Sequence, residues 1–132
     1  MSRVVYFDCA NGAAGDMLLG ALVDLGLPFE ELKAELAKLP LEGYALRSSR
    51  VSRSGIAATK VDVDIHAGDT KHRHLRHILE IIGSSTLHPE VKERTVALFQ
   101  RLAEAEAKVH GTSPEKVHFP VSYTHLTLPT KA

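Results

Sequence analysis

The stretch DCANGAAGDM, residues 8–17, constrains the fold most, because it joins an apolar run to a helix through a loop of small residues. The preceding run VVYF, residues 4–7, is rich in β-branched and aromatic side chains and predicts a buried strand. From Asp16 to Leu25 the sequence predicts a helix that Gly26 ends. This helix is apolar on nearly every side and is therefore expected to be buried on most of them. A strand followed by an enclosed helix begins an α/β layer.

A β-hairpin is predicted in the middle of the chain, where the hydrophobic period changes to two. In VDVDI, residues 61–65, Val61, Val63 and Ile65 point inward while two aspartates point outward, as in a sheet with one solvated face. YALRSSRV, residues 44–51, is the weaker partner strand, and SRSG before Ile56 supplies the turn.

Several amphipathic helices complete the predicted α/β fold. One begins near Pro28 and cannot continue past Pro40, and another presents an apolar stripe that Gly83 ends. The longest starts at Pro89 and stops at Gly111, with apolar positions at alternating steps of four and three, too short a repeat to establish a coiled coil. The two stripes are Leu75, Ile78, Leu79 and Ile82, and Val91, Thr95, Leu98, Leu102, Ala105 and Val109.

Composition excludes several classes of function. Sixteen basic residues balance sixteen acidic ones, so no net charge attracts the chain to nucleic acid or to an anionic membrane. The single cysteine fits a reducing compartment, and neither a signal peptide nor a run of transmembrane length is present. We therefore expect a cytoplasmic protein without nucleic-acid or membrane partners.

The last residues break the pattern of capped helices. Residues 120–132 contain two prolines and three threonines without periodicity, and resemble translated sequencing-adaptor ends. We therefore expect residues 1–119 to form an N-terminal domain and residues 120–132 to be a non-native or disordered tail.

The glycine loop has three possible roles. Gly12 and Gly15 resemble part of a phosphate cradle, but the lysine and hydroxyl of a P-loop are missing. Asp8 and Asp16 bracket the loop and suit a cation better than a bare phosphate. In the structural alternative, which these residues alone favour, Asp16 serves the helix start and Asp8 ties down the loop.

A histidine patch is the second candidate site. His66, His72, His74 and His77 fall within one short segment, and imidazole is a preferred ligand of nickel, copper, zinc and iron. His74 and His77 could share one metal ion, with His72 or His66 reaching in from the preceding loop. The alternative is a solvated helix start, since Lys71, Arg73 and Arg76 would oppose a dication. The residues alone leave these alternatives open.

Four segments in order resemble the nickel insertion proteins of the nickel-pincer nucleotide pathway. They are DCANGAAGDMLLGALVDLG, GIAATKVDVDI, the histidine patch, and VKERTVALFQRLAEAEAKVHG leading to VHF. The resemblance covers residues 3–119. It implies a nickel insertase, a chelatase-type lyase, that uses CTP to place nickel in pyridinium-3,5-bisthiocarboxylic acid mononucleotide and so makes the cofactor of lactate racemase.

The resemblance also implies roles for residues and partners. Asp8 and Asp16 become catalytic candidates and the four histidines metal-binding candidates, while Gly12 and Gly15 are cofactor-binding candidates from their place in the loop. The lactate racemase apoprotein is an implied partner, and the full-length protein is expected to be a homo-oligomer. Family members are longer and bind CTP through a C-terminal region absent here, so this chain alone is expected to be inactive. The rival hypotheses are a non-catalytic metallochaperone module and a phosphate-binding α/β domain.

Overall fold

The computed structural model describes residues 2–66 and 73–119, which form a mixed α/β fold of four helices and two two-stranded antiparallel sheets. The predicted α/β class is confirmed. The elements in chain order are α1 Gly15–Asp24, α2 Phe29–Leu36, β1 Tyr44–Arg53, β2 Ile56–Ile65, β3 Arg73–His74, α3 Leu75–Ser84, α4 Pro89–His110, a 3₁₀ turn Pro114–Lys116 and β4 His118–Phe119.

The predicted hairpin is confirmed. β1 and β2 pair in register from Tyr44 opposite Ile65 to Arg53 opposite Ile56. The two residues between the strands, Ser54 and Gly55, both have positive φ angles, of 51° and 81°. Positive φ at both central residues is typical of the tight type I′ hairpin turn. Val61 is fully buried, as the alternation predicted.

Helix α1 packs against β2 and ends where the sequence predicted. Gly26 has a φ of 116°. The backbone N–H of Gly26 donates to the Val23 carbonyl at 3.1 Å, and that of Leu27 donates to the Leu22 carbonyl at 3.0 Å. This pair of bonds is the Schellman motif that closes a helix with a left-handed glycine.

Two expectations for the N-terminal segment were wrong. Residues 4–7 form no strand, and Val4 is 88% exposed. Helix α1 is not enclosed either, because Met17, Leu18 and Leu25 are exposed. An extended run becomes a strand only when a neighbour completes its hydrogen-bond ladder, and no described residue pairs with this one. The hydrophobic pattern therefore shows that these side chains are apolar, but it does not show whether another part of the protein covers them.

A second group of elements surrounds a small core between α3 and α4. The buried residues are Ala103 and Ala107 of α4, with Val117 and Phe119 after it. The rings of Phe99 and Phe119 meet edge to face with centroids 6.0 Å apart, a favourable arrangement of aromatic quadrupoles. This core holds β4 beside the start of α3.

Helix α4 has the predicted ends, but its predicted apolar stripe does not face the core. Pro89 is its first residue and Gly111, with a φ of 62°, its cap. The expected stripe is exposed at Val91, Leu98 and Val109. The two alanines 103 and 107 lie against the core instead, since their small side chains suit close packing.

Helix α2 connects the two groups. It begins at Phe29, next to Pro28, which is its N-cap rather than part of its first turn, and Leu32 is buried. The Tyr44 hydroxyl donates to the Leu36 carbonyl at 3.3 Å, and the Thr86 N–H donates to the Lys38 carbonyl at 3.3 Å. Among the described residues, no helix is both long enough and apolar enough to cross a bilayer.

Candidate functional site

The glycine loop begins with two tight turns. The Asp8 side chain accepts a hydrogen bond from the Ala10 N–H at 3.1 Å, and the Cys9 carbonyl accepts one from the Gly12 N–H at 2.9 Å. Gly12 has a φ of 85°, a conformation that glycine adopts without strain. Asp8 therefore organises the backbone of the loop while its side chain stays exposed.

Asp16 lies at the other end of the loop, as the second residue of α1. Its Oδ1 accepts a hydrogen bond from the Met17 N–H at 2.9 Å. The N-cap Ala14 makes no side-chain capping bond, so Asp16 provides the only carboxylate of this helix's first turn. A carboxylate in this position is stabilised by the helix dipole. These contacts support the structural alternative for both aspartates, and a ligand-binding role stays a prediction.

The two loop glycines differ in their backbone conformation. Gly12 requires its positive φ, whereas Gly15 opens α1 in ordinary helical conformation. A Cβ built on Gly15 would have no neighbouring atom within 4 Å. The space above Gly15 is therefore open to a ligand that approaches the start of α1.

A histidine pair forms where β3 meets β4. His74 and His118 are direct partners in this antiparallel ladder, so their side chains share one face. Their ring centroids lie 4.2 Å apart with an interplanar angle of 47°. His118 was not among the predicted patch residues, because only the long-range pairing of β3 with β4 brings it beside His74. The sole signal was its place in the VHF motif.

His77 is committed to the start of α3. His74 is the N-cap of this helix and His77 its third residue, the two positions of a capping box. The Nδ1 of His77 accepts a hydrogen bond from the His74 backbone N–H at 3.3 Å. A neutral imidazole with its lone pair on Nδ1 carries its proton on Nε2, so this bond leaves no lone pair for a metal.

The remaining histidines of the patch are placed differently. His66 is exposed at the end of β2, where its backbone N–H donates to the Gly43 carbonyl at 2.8 Å. His72 lies outside the described residues. Within residues 2–66 and 73–119, no three histidine, cysteine, aspartate or glutamate side chains are grouped so as to hold a metal ion. The His74–His118 pair would thus need further ligands to complete a site.

The chain is similar to proteins named for nickel insertion. A family model described as "Nickel insertion protein" matches residues 5–121. A relative from Geobacter sp. (strain M21) is 54% identical over 117 residues, which is 89% of this chain and 30% of the relative. The pyridinium-3,5-bisthiocarboxylic acid mononucleotide nickel insertion protein of Desulfitobacterium hafniense (strain DSM 10664 / DCB-2) is 49% identical over 117 residues, 89% of this chain and 29% of the relative.

A further relative extends the similarity to another bacterium. The pyridinium-3,5-bisthiocarboxylic acid mononucleotide nickel insertion protein of Geobacillus kaustophilus (strain HTA426) is 44% identical over 126 residues, covering 89% of this chain and 31% of the relative. The chain thus spans about three tenths of the length of these relatives. No solved structure matches the chain. Because the family match covers residues 5–121 of 132, the protein belongs to the nickel insertion protein family.

Proposed function

We propose that this chain acts as the N-terminal part of a nickel insertase whose substrate is pyridinium-3,5-bisthiocarboxylic acid mononucleotide. The single observation that carries the proposal is the family match over residues 5–121, together with relatives that carry the name of this substrate. The reaction belongs to the chelatase-type lyases, takes place in the cytoplasm and yields the nickel cofactor of lactate racemase. The lactate racemase apoprotein would receive the product.

The histidine patch would capture the nickel ion. Neutral imidazole is a good nickel ligand, and His74 and His118 already share one face of the β3–β4 ladder. His66 and His72 are the further candidates from the preceding segment. His77 could join only by giving up its bond to the His74 N–H, so we rank it last among the proposed ligands.

The glycine loop would bind the substrate and accept the proton that the reaction releases. Insertion breaks one C–H bond of the pyridinium ring and forms one bond from nickel to that carbon and two bonds to the thiocarboxylate sulfurs. The released proton needs a base, and Asp8 or Asp16 can accept it. The N–H groups near Gly12 and Gly15 would contact oxygens of the mononucleotide.

CTP would act through a part of the protein that this chain does not contain. Within the described residues no lysine or arginine lies in the loop that bears Gly12 and Gly15, so nothing there balances a triphosphate. We therefore expect this chain to bind nickel by itself and to insert it only as part of the longer protein.

The test uses a chimera in which residues 5–121 replace the matching region of the Desulfitobacterium hafniense relative. Cofactor formation is measured with purified mononucleotide, nickel and CTP, and omission of CTP tests the nucleotide requirement. Asp8→Asn and Asp16→Asn should each reduce insertion at least tenfold without changing the circular dichroism spectrum. Asp64→Asn, the same change on exposed β2, is the matched control and should retain full activity.

One observation favours a second function, a metallochaperone module that uses the histidines alone. Both loop aspartates already make local backbone hydrogen bonds, so neither needs a ligand to explain its presence. If Asp8→Asn and Asp16→Asn insert nickel at the rate of the unmodified chimera, the loop plays no part in the reaction. Loss of nickel binding on replacing the histidines would then assign this chain to metal delivery.

A further inference from the structure

Helix α4 carries an apolar seam that the protein's own core does not cover. The seam repeats at alternating steps of four and three along the helix, and it consists of Val91, Thr95, Leu98, Leu102, Ala105 and Val109. Val91 is 47% exposed, Leu98 61% and Val109 80%. Leu102 packs partly against the core, and Thr95 is half-buried.

This spacing matches a two-stranded coiled coil better than it matches packing within the domain. A period of 3.5 residues keeps one stripe of a helix facing another helix over its whole length. The core face of α4 is a different stripe, centred on Phe99, Ala103 and Ala107. The helix therefore has one apolar face that is occupied and a second that is not.

We propose that a second copy of this chain covers the seam, so that the α4 helices of two molecules pair in parallel. The charged residues beside the seam indicate that a second copy binds there and that the two helices run parallel. Arg94, Arg101 and Lys108 follow one edge of the seam at intervals of seven residues. Antiparallel pairing would place these basic rows opposite each other, which is unfavourable.

Parallel pairing instead places one of these basic residues, Arg101, opposite an acidic residue. In a parallel pair, the residue that precedes Thr95, Leu102 or Val109 on one helix lies beside the residue five positions later in sequence on the other helix. Arg101 of each copy would therefore lie beside Glu106 of the other, giving two ion pairs. Within its own helix the Oε2 of Glu106 lies 3.2 Å from the Nε2 of His110, and Arg94 pairs with Glu90 at 2.7 Å. Arg101 makes no ion pair among the described residues.

The expected dimer is weak. The seam runs over 18 residue steps, about 27 Å of helix, which is short for a coiled coil in isolation. Here α4 is already formed by its packing against the core, so dimerisation does not have to order it. Such a small interface with a threonine and an alanine in the seam corresponds to a dissociation constant of roughly micromolar order.

Sedimentation equilibrium of the 132-residue chain between about 1 and 300 μM tests the proposal. We expect a monomer–dimer equilibrium and a monomer for Leu98→Glu over the whole range. Gln100→Glu, which adds the same charge to an exposed position on the opposite face of α4, is the control and should dimerise as the unmodified chain does. A chain that stays monomeric, or a dimer that survives Leu98→Glu, overturns the proposal.

A charge-reversal cycle tests the direction of pairing. Arg101→Glu and Glu106→Arg should each raise the dissociation constant at least fivefold, and the double variant should restore it to within twofold. Melting curves and circular dichroism of each variant check that the monomer is folded, since Glu106 is half-buried. If the folded double variant is weaker than either single variant, parallel pairing is wrong.

Discussion

Gly20 of α1 lies directly against the backbone of Thr59 in β2. A Cβ atom built on Gly20 would be 2.6 Å from the Thr59 carbonyl oxygen, closer than real Cβ atoms come to any neighbour. The obstacle is backbone that is paired within the hairpin, so no side-chain rotation can relieve it. Helix α1 therefore docks at a distance that only glycine allows.

Gly20→Ala should separate α1 from the hairpin. We expect the free energy of unfolding to fall by about 1–3 kcal/mol, the usual cost of overpacking, despite the better helix propensity of alanine. Urea denaturation followed by circular dichroism measures it. Gly83→Ala is the control, because a Cβ there would meet nothing within 4 Å and the helix should gain about 0.5–1 kcal/mol. Equal stability of the two variants would contradict the contact.

The hairpin and the helix ends were predictable from sequence because their causes are local. Ser54 and Gly55 define the turn, Gly26 and Gly111 close their helices, and Pro89 opens one. Each signal acts within a few residues through backbone conformation and needs no knowledge of the tertiary structure.

Partners that lie far along the chain were not predictable in this way. The pattern of residues 4–7 shows apolar character but not the absence of a pairing strand among the described residues. Helix α4 has two apolar stripes, and the periodicity of its apolar residues indicated the one that the core leaves exposed. His118 joins His74 only through the β3–β4 ladder, a long-range contact without a local signal.

A polar cluster beside the contact between Gly20 and Thr59 makes the stability of the fold depend on pH. Asp24 of α1 accepts hydrogen bonds from Thr59 and Arg50 of the hairpin, each at 2.6 Å. These bonds, with that from Thr59 the larger cause, lower the pKa of the Asp24 carboxyl below its ordinary value. The ionised carboxylate therefore stabilises the fold above the unfolded-state pKa, and this stability is lost as the pH falls through the folded pKa.

Asp24→Asn should accordingly reduce stability at pH 7 and make it less sensitive to acid. We expect the difference in urea midpoint between variant and unmodified chain to shrink from pH 7 to an acidic pH below the lowered pKa of the Asp24 carboxyl. Glu31→Gln removes a carboxylate that makes no ion pair among the described residues, and its midpoint at pH 7 should match that of the unmodified chain. An Asp24→Asn difference that is the same at both pH values would refute the linkage.

Alanine substitutions at the two loop glycines distinguish a structural role of the loop from a ligand-binding role. Gly12→Ala must adopt a left-handed conformation, with a strain of roughly 1–2 kcal/mol, and should destabilise the turn that Cys9 and Gly12 close. Gly15→Ala should keep the melting temperature, because the position is helical and its surroundings are open. If substrate approaches the start of α1, Gly15→Ala should still reduce insertion by the chimera. Full activity of Gly15→Ala would place the substrate elsewhere.

Nickel binding by the histidine patch should weaken in acid. Protonated imidazole cannot coordinate a metal, so the affinity measured by calorimetry should be lower at acidic than at neutral pH. Replacing His72, His74 and His77 together by alanine should abolish binding, and His118→Ala alone should lower the affinity at least tenfold. Nickel uptake by the triple variant equal to that of the unmodified chain would rule out the patch.

His77 allows a sharper test, because capping and metal binding compete for the same lone pair. Glutamine is a preferred residue at this helix position and can accept the bond from the His74 N–H, so His77→Gln should keep the melting temperature. His77→Ala loses the bond and should cost about 1 kcal/mol, a typical value for a lost helix cap.

Nickel affinity then distinguishes the two roles. Since Nδ1 is occupied by the His74 N–H at 3.3 Å, we expect His77→Gln to bind nickel within threefold of the unmodified chain. His74→Gln is the parallel change in the proposed ligand pair and should bind at least tenfold more weakly. A comparable loss in His77→Gln would show that nickel displaces the capping bond. The start of α3 would then rearrange when the metal binds.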